Sequence, residues 1–207
     1  MLVSRRIGSR GAPRIRARRR RPFLAPWLAA LLIAGELASA SSLFAQTSKP
    51  NEYEVKATYL YNFARFVEWP DSAAPKDEVF TICVLGQDPF GRALDEILQG
   101  ERINGTAVVA RRLTKPQDAV NCRVVFISLS EETRLNEILA TLDKARVLTV
   151  SDIPQFALRG GMIQFVSAEK RIRFEVNLSN AGDAGLRLSS ELLKVAVAVR
   201  KNIQPGD

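Results

Sequence analysis

Five polar residues in the last quarter of the chain have the types and spacing that best suit binding. Arg173, Glu175 and Asn177 alternate with apolar residues, and Arg187 and Ser189 follow shortly after them. Such alternation places the first three side chains on one face of a strand. The planar guanidinium of Arg187 suits a carboxylate or a phosphate, and the amide of Asn177 both donates and accepts hydrogen bonds. We predict that these five residues bind a partner or ligand; a solvated outer face with one cross-strand ion pair is the alternative.

Several kinds of catalytic and metal chemistry are excluded by composition. The chain contains no histidine, and its two cysteines, at positions 83 and 122, stand 39 residues apart. A Ser-His-Asp triad, a Cys-His pair, a C-x-x-C redox motif and a four-thiolate zinc site are therefore impossible. Paired carboxylates remain possible, with Asp152 and Glu175 as the candidates, but salt bridges explain such residues more commonly. The sequence predicts a non-enzymatic protein with no catalytic residue, metal site or cofactor.

The polar row lies within a strand, turn and closing helix. Residues 171–178 alternate strictly, which predicts a strand with one apolar face. Ser189 is a good N-cap for the following helix, and Glu191 lies in its first turn, where the helix dipole favours an anion. One apolar stripe is predicted on that helix, formed by Leu188, Leu192, Val195, Ala196 and Val199.

The positive charge is confined to the beginning of the chain. The net charge is +8, and nine of the 30 basic residues fall in residues 1–45 against one acid, so the remainder carries 21 bases and 21 acids. An arginine-rich start, a 12-residue apolar run and Ala38-Ser39-Ala40 are typical of a secretory signal peptide. We predict a cleaved signal peptide over residues 1–45 and one exported domain over residues 46–207. The neutral domain is not expected to bind nucleic acid, and an uncleaved membrane anchor is the alternative for the leader.

Export affects how the two cysteines are interpreted. An even number of cysteines in an oxidising compartment favours one disulfide, between Cys83 and Cys122. Two buried free thiols are the alternative.

The middle of the chain alternates between strand-like and helix-like segments. A first helix is predicted over residues 51–68, and a second is predicted to begin at Asp88-Pro89, with the aspartate as its cap. Further helices are predicted from Ser130 and over residues 153–158. Strands are predicted over residues 79–85, 107–113, 123–129, 146–150 and 162–166. This order predicts a single-domain α/β fold: a mixed β-sheet with a parallel centre and a C-terminal antiparallel hairpin, flanked by helices on both faces.

Four segments together resemble the YfiR-like family of exported proteins. They are KATYLYNFARFVEWP (residues 56–70), ICVLGQDPFG (82–91), VLTVSDIPQFALRGGMIQFV (147–166) and RFEVNLSNAGDAGLRLSSELLKVA (173–196). The resemblance implies an α/β domain, often a homodimer, that works in the periplasm without chemistry of its own. Cys83 and Cys122 fall where the family has a cysteine pair. A second pair known in some members, expected within residues 157–164, is absent.

The resemblance also implies a function. A family member of this kind binds the periplasmic part of an inner-membrane diguanylate cyclase of the HAMP–GGDEF type and represses it, which lowers cyclic di-GMP. Sequestration by an outer-membrane lipoprotein, or redox damage, would relieve the repression. The alternative is a periplasmic ligand-sensing or adaptor module serving a histidine kinase or a TonB-dependent receptor, with a small-molecule ligand.

Overall fold

A computed structural model of the chain describes residues 51–70, 79–143 and 145–201. The predicted signal peptide, residues 1–45, lies outside the described residues. Within them, no helix combines the length and the apolar character that crossing a bilayer requires.

The described residues form short helices and two sheets. The strands are β1 (Val67–Glu68), β2 (Val79–Leu85), β3 (Arg102–Ile103), β4 (Thr106–Leu113), β5 (Val124–Ile127), β6 (Leu148–Ser151), β7 (Ile163–Ala168), β8 (Arg171–Asn177), β9 (Arg187–Leu188) and β10 (Ala198–Arg200). The α-helices are α1 (Glu52–Phe66), α2 (Arg92–Leu98), α3 (Leu135–Leu142), α4 (Leu178–Asp183) and α5 (Ser190–Val195), with 3-10 helices at Pro116–Asn121 and Leu129–Arg134.

The larger sheet has the strand order β10-β8-β7-β6-β5-β2-β4-β3. The five strands from β7 to β4 run parallel to their neighbours. β7 and β8 form an antiparallel hairpin, and the small strand β3 pairs antiparallel with β4 at the other edge. The predicted fold class, a mixed sheet with a parallel centre and a C-terminal hairpin, is confirmed.

Strand β2 explains why the centre of the sheet reads as continuous apolar sequence. Ile82, Val84 and their neighbour Phe80 pack with α1 on one face of the sheet. Cys83 and Leu85 pack on the opposite face, in a cluster that includes residues of α3. A strand covered on both faces has no polar side. The expected strand over residues 79–85 is therefore observed with the same bounds.

Helix α1 begins with a capping box. The side chain of Asn51 accepts a hydrogen bond from the helix backbone, while the carboxylate of Glu54 accepts one from the backbone N–H of Asn51. These bonds satisfy amide groups that a helix start otherwise leaves unpaired. The prediction that this helix continues through Glu68 is wrong, because Val67 and Glu68 are extended and pair with β9.

The closing helix is shorter than predicted. Ser189 does cap it, accepting a hydrogen bond from the N–H of Leu192 at 3.2 Å, but the helix ends at Val195. Residues 198–200 then form β10, which runs parallel to β8. Valines at 195, 197 and 199 satisfy a period of two as well as a helical stripe, and β-branched residues favour the strand where a sheet edge is available. The helical stripe proposed through Val199 is therefore wrong.

Three other expected helix starts also differ. Asp88 does not cap a helix: α2 begins at Arg92 after Gly91, and Asp88 accepts hydrogen bonds from the Phe90 N–H and from Arg112 instead. The helix expected from Ser130 begins with a 3-10 turn and becomes an α-helix only at Leu135. Residues 153–158 form turns, not a helix.

Candidate functional site

Two of the predicted binding residues, Arg173 and Glu175, lie on β8 on the face opposite the buried Phe174 and Val176. Both are partly exposed. The carboxylate of Glu175 accepts hydrogen bonds from the guanidinium of Arg200 on β10, the shorter at 2.9 Å. One ion pair across neighbouring strands was the alternative interpretation of this row. It accounts for Glu175 without requiring a ligand, so the binding role of both residues stays a prediction.

Asn177 does not belong to an accessible row. Its side chain is buried, with 4% of the residue exposed. The amide nitrogen donates to the carbonyl of Ala157 at 2.9 Å, and the amide oxygen accepts from the Asn180 N–H at 3.1 Å. Asn177 therefore joins the loop after β6 to the start of α4. Its position in the strand follows the predicted alternation, but tertiary contacts cover that end of β8.

Arg187 lies on β9, which pairs with β1, and the Ser189 N–H donates to the carbonyl of Phe66 just before β1. Arg187 pairs with Glu68 across the β1–β9 ladder, Nη2 to Oε2 at 2.7 Å, and both side chains are largely exposed. Ser189 is occupied by its capping bond. The five predicted residues therefore divide among a hairpin face, a buried junction and an exposed two-stranded ladder.

A cleft of about 710 Å³ lies next to Arg187. Its charged and aromatic lining includes Arg65, Glu68, Trp69 and Arg123. The indole N–H of Trp69 donates to the carbonyl of Arg146 at 2.9 Å, and its ring lies edge-on to Phe80. Guanidinium groups suit carboxylates and phosphates, and an indole face suits a flat apolar group. Of the predicted residues, Arg187 is the one that lines this cleft.

A buried polar cluster that the sequence analysis did not identify joins α1 to the loop after β6. The ammonium of Lys56 contacts Asp152 and Glu52, each at 2.6 Å. The hydroxyl of Tyr53 donates to Asp152 at 3.2 Å, and Lys56 also lies over the Tyr53 ring. Asp152 had been considered for acid–base work, but in the structure it is the anionic partner of a buried lysine.

Burial and pairing act in opposite directions on this lysine. Burial lowers the pKa of Lys56, but its hydrogen bonds to Asp152 and Glu52 outweigh that effect, so the pKa is raised. The pKa of Tyr53 is raised by burial and by the charge of Asp152. Lys56 therefore stays protonated at neutral pH and is unsuited to act as a base or a nucleophile. The one sequence signal that could have suggested this cluster is Lys56 itself, a charged residue that comes just before most of the aromatic residues of α1.

The predicted disulfide is present. Cys83 on β2 is bonded to Cys122, which immediately precedes Arg123 and β5, with the two Cα atoms 6.1 Å apart. Both cysteines are buried. In the described ranges, no three acidic, cysteine or histidine side chains are grouped so that they could hold a metal ion.

A family model described as YfiR/HmsC-like matches residues 53–197. This span includes all but the first residue of α1, both cysteines, the residues that line the cleft and the whole of α5. The chain belongs to the YfiR/HmsC-like family. At the family level, this membership supports a regulatory protein connected with diguanylate cyclases.

Solved structures with similar folds are distant in sequence. A conserved domain protein from Vibrio cholerae O1 biovar El Tor str. N16961 is 11% identical, with a TM-score of 0.51, covering 74% of this chain and 62% of that one. The ABC domain in complex with L-Trp from Streptococcus pneumonia is 10% identical, with a TM-score of 0.49, covering 70% of this chain and 60% of that one. This chain thus spans about three fifths of the length of each. The similarity to the Vibrio cholerae protein concerns the fold alone. The similarity to the Streptococcus domain supports no further conclusion.

Proposed function

We propose that this protein is a periplasmic, non-enzymatic regulator that binds the periplasmic domain of an inner-membrane diguanylate cyclase and represses it. The main observation that supports this proposal is the YfiR/HmsC-like match over residues 53–197, which spans most of the described chain. Repression of the cyclase lowers cyclic di-GMP. The cyclase is of the HAMP–GGDEF type, whose catalytic part lies across the membrane from the site of binding.

The chemistry of the described residues supports docking over catalysis. Every buried side-chain nitrogen and oxygen in the described ranges has a hydrogen-bond partner, and Lys56 is neutralised by two carboxylates. Active sites more often contain groups held in unsatisfied or strongly perturbed states. The exposed polar groups, by contrast, include the Arg187–Glu68 pair, whose side chains are 82% and 69% exposed. Such a surface can exchange an internal ion pair for contacts with a partner.

Two features support a periplasmic location. The buried Cys83–Cys122 disulfide suits an oxidising compartment. Residues 1–45 have the charge and apolar pattern of a cleaved export signal. The proposal includes an outer-membrane lipoprotein as the partner that withdraws the protein from the cyclase.

The test is reconstitution of the diguanylate cyclase in membrane vesicles. The cyclase is purified with its membrane segments, and synthesis of cyclic di-GMP from GTP is followed as the protein is added to the periplasmic side. We expect a saturable decrease in rate with the native protein. Leu158→Ala, which changes an exposed side chain on the loop after β6, should inhibit as the native protein does. A rate that stays unchanged at saturating protein would contradict the proposal.

The cleft next to Arg187 favours a second candidate, a ligand-sensing module that serves a histidine kinase or a TonB-dependent receptor. Its arginines and Trp69 suit a small carboxylate with a flat apolar group. The two candidates differ in a deletion strain. Loss of the gene should raise cyclic di-GMP if the cyclase is the target, whereas an unchanged level together with altered kinase or receptor output would favour the second.

A further inference from the structure

A groove of about 640 Å³ lies between α1 and α2, which pack against each other on the same face of the larger sheet. Two pairs of apolar side chains line it: Val55 and Tyr59 on α1, and Ala93 and Ile97 on α2. The members of each pair are four residues apart, so they lie one turn apart on the same side of their helix. The floor of this groove, which we call the helix groove, is therefore two apolar rows, one from each helix.

An aromatic cluster beneath the helix groove holds its floor in place. The ring centroid of Tyr59 lies 5.8 Å from that of Phe63, 5.9 Å from that of Phe165 and 5.6 Å from that of Phe174. These three phenylalanines are buried, whereas Tyr59 is only partly buried. A partly exposed aromatic ring on a fixed support is a surface on which an inserted apolar side chain binds well.

The rim of the helix groove is polar and acidic. Glu54, Thr58 and Asn62 follow one another at four-residue spacing along α1, and Glu96 stands on α2. Glu54 and Thr58 are exposed, and the side chain of Glu96 is 62% exposed. Among the described residues that line the groove, none is a lysine or an arginine. Arg92 lies 3.3 Å from Glu96, but a pair this exposed contributes little, so Glu96 can exchange Arg92 for another cation.

We propose that the helix groove binds an amphipathic helix of a partner protein, whose apolar stripe is flanked by lysines or arginines. The ridge of side chains on such a helix fits between the two apolar rows. The rim on α1 runs from Glu54 to Asn62, about 12 Å of helix rise, so about two turns of the partner make contact. Cations on the two sides of the stripe meet Glu54 on one rim and Glu96 on the other. This inference goes beyond the proposed function, because it concerns the kind of segment that is recognised, whichever protein carries it.

The test titrates the protein, produced from the full-length coding sequence, against synthetic peptides and follows fluorescence anisotropy at low ionic strength. The probe is a labelled peptide of about 18 residues, long enough to form a helix on binding, with leucines at helical spacing and lysines between them. One comparison peptide has glutamates in place of the lysines, and a second has the composition of the probe in an order that forms no stripe. We expect saturable binding of the probe that weakens as salt is added. Both comparison peptides should bind at least tenfold more weakly.

Substitutions on the rim test the sign of the charge. Thr58→Lys adds a cation one turn from Glu54 and should raise the dissociation constant of the probe about tenfold, whereas Thr58→Glu should lower it about threefold. The double variant Glu54→Gln/Glu96→Gln should raise it about threefold to tenfold, and glutamine at position 54 can still complete the capping box. All three variants should melt within about 2 °C of the native protein, because the altered side chains are exposed.

The matched control removes the same charge from the opposite face of the sheet. Asp118 and Glu137 are exposed, and the segments that carry them pack in the cluster on that other face. Asp118→Asn/Glu137→Gln should therefore leave the dissociation constant unchanged.

Four results would overturn the proposal. The first is a native protein that does not bind the lysine peptide. The second is a glutamate peptide or a stripe-free peptide that binds as tightly as the probe. The third is a lysine and a glutamate at position 58 that change the affinity in the same direction. The fourth is a rim double variant that binds the probe as the control variant does.

Discussion

Lys56 and Asp152 form a buried ion pair between residues 96 positions apart, with Nζ 2.6 Å from Oδ2. Lys56 lies on α1 and is 3% exposed as a residue. Asp152 follows the last residue of β6. The pair therefore connects the first helix of the described chain to the carboxyl edge of the parallel sheet.

Removing one member of this pair should destabilise the fold strongly. Lys56→Ala leaves Asp152 without its cation in a largely buried site, and we expect the free energy of unfolding to fall by about 3 kcal/mol. Denaturant unfolding at neutral pH measures the change. The control is Arg92→Ala, which breaks the Arg92–Glu96 pair on the surface of α2. That loss should be within about 0.5 kcal/mol, because exposed pairs contribute little. Equal effects from the two variants would contradict a special role for Lys56.

The disulfide should supply a large part of the stability. It closes a loop with a sequence separation of 39, and its removal in Cys83→Ala/Cys122→Ala should cost about 4 kcal/mol by the chain-entropy argument. A reductant should lower the denaturant midpoint of the native protein but leave that of the double variant unchanged. A reductant effect of the same size on both proteins would mean that the bridge is not its cause.

Asp95 should contribute to acid sensitivity. Its pKa is lowered by hydrogen bonds from Arg112, whose nitrogens lie 2.6 Å from both carboxylate oxygens. A carboxyl group whose pKa is lowered on folding stabilises the fold above its unfolded pKa, so this contribution is complete near neutral pH and is lost as pH falls below about 4. Since both side chains are partly exposed, we expect at most about 1 kcal/mol.

The variant Asp95→Asn should therefore lose less stability than the native protein when unfolding at pH 3 is compared with unfolding at pH 7. Glu96→Gln, on the same helix and exposed, is the control and should keep the native acid sensitivity. A native-like pH dependence in Asp95→Asn would contradict the expected role of Arg112.

Arg187→Ala and Asn177→Ala should separate partner binding from folding within the predicted site. Arg187 is exposed, so its removal should weaken binding to the cyclase domain while the melting temperature moves by no more than about 2 °C. Asn177 is buried between Ala157 and α4, so its removal should destabilise the protein by about 1–3 kcal/mol. Titration calorimetry and thermal unfolding of both variants measure the two effects. A large stability loss in Arg187→Ala would assign that residue to folding.

Glu175 was predicted to be a binding residue together with Arg187, and the same comparison of binding with stability applies to it. Among the residues that the structure describes, the Glu175 carboxylate pairs with Arg200, so Glu175→Ala should cost little stability and should weaken binding only if the open face of β8 contacts the cyclase. Binding that stays native in Glu175→Ala would restrict the docking surface to the neighbourhood of Arg187.

Local periodicity was sufficient for the elements whose burial is uniform along the chain. β2 is covered on both faces, so its continuous apolar run indicates a strand with correct bounds. β8 has one buried face over most of its length, so its alternation indicates a strand as well. The cysteine pairing needed only a count and a compartment, because two cysteines allow one intramolecular bridge.

Where the same residues fit both a helical and a strand periodicity, the sequence alone could not decide which element forms. Valines at 195, 197 and 199 fit both a helix stripe and an edge strand, and the strand forms because β8 offers it hydrogen bonds. Asn177 continues a polar alternation, but the loop carrying Ala157 covers it. Lys56 and Asp152 meet only because the parallel sheet sets the end of β6 against α1.

The sequence by itself determined the class of fold, the family, the single disulfide and the lack of histidine chemistry. Each of these depends on composition, on local burial or on matched segments along the chain. The tertiary structure decided which polar residues are exposed and which are paired. These depend on contacts between residues far apart in the chain, and a one-dimensional pattern records that a side chain is polar without recording what lies opposite it.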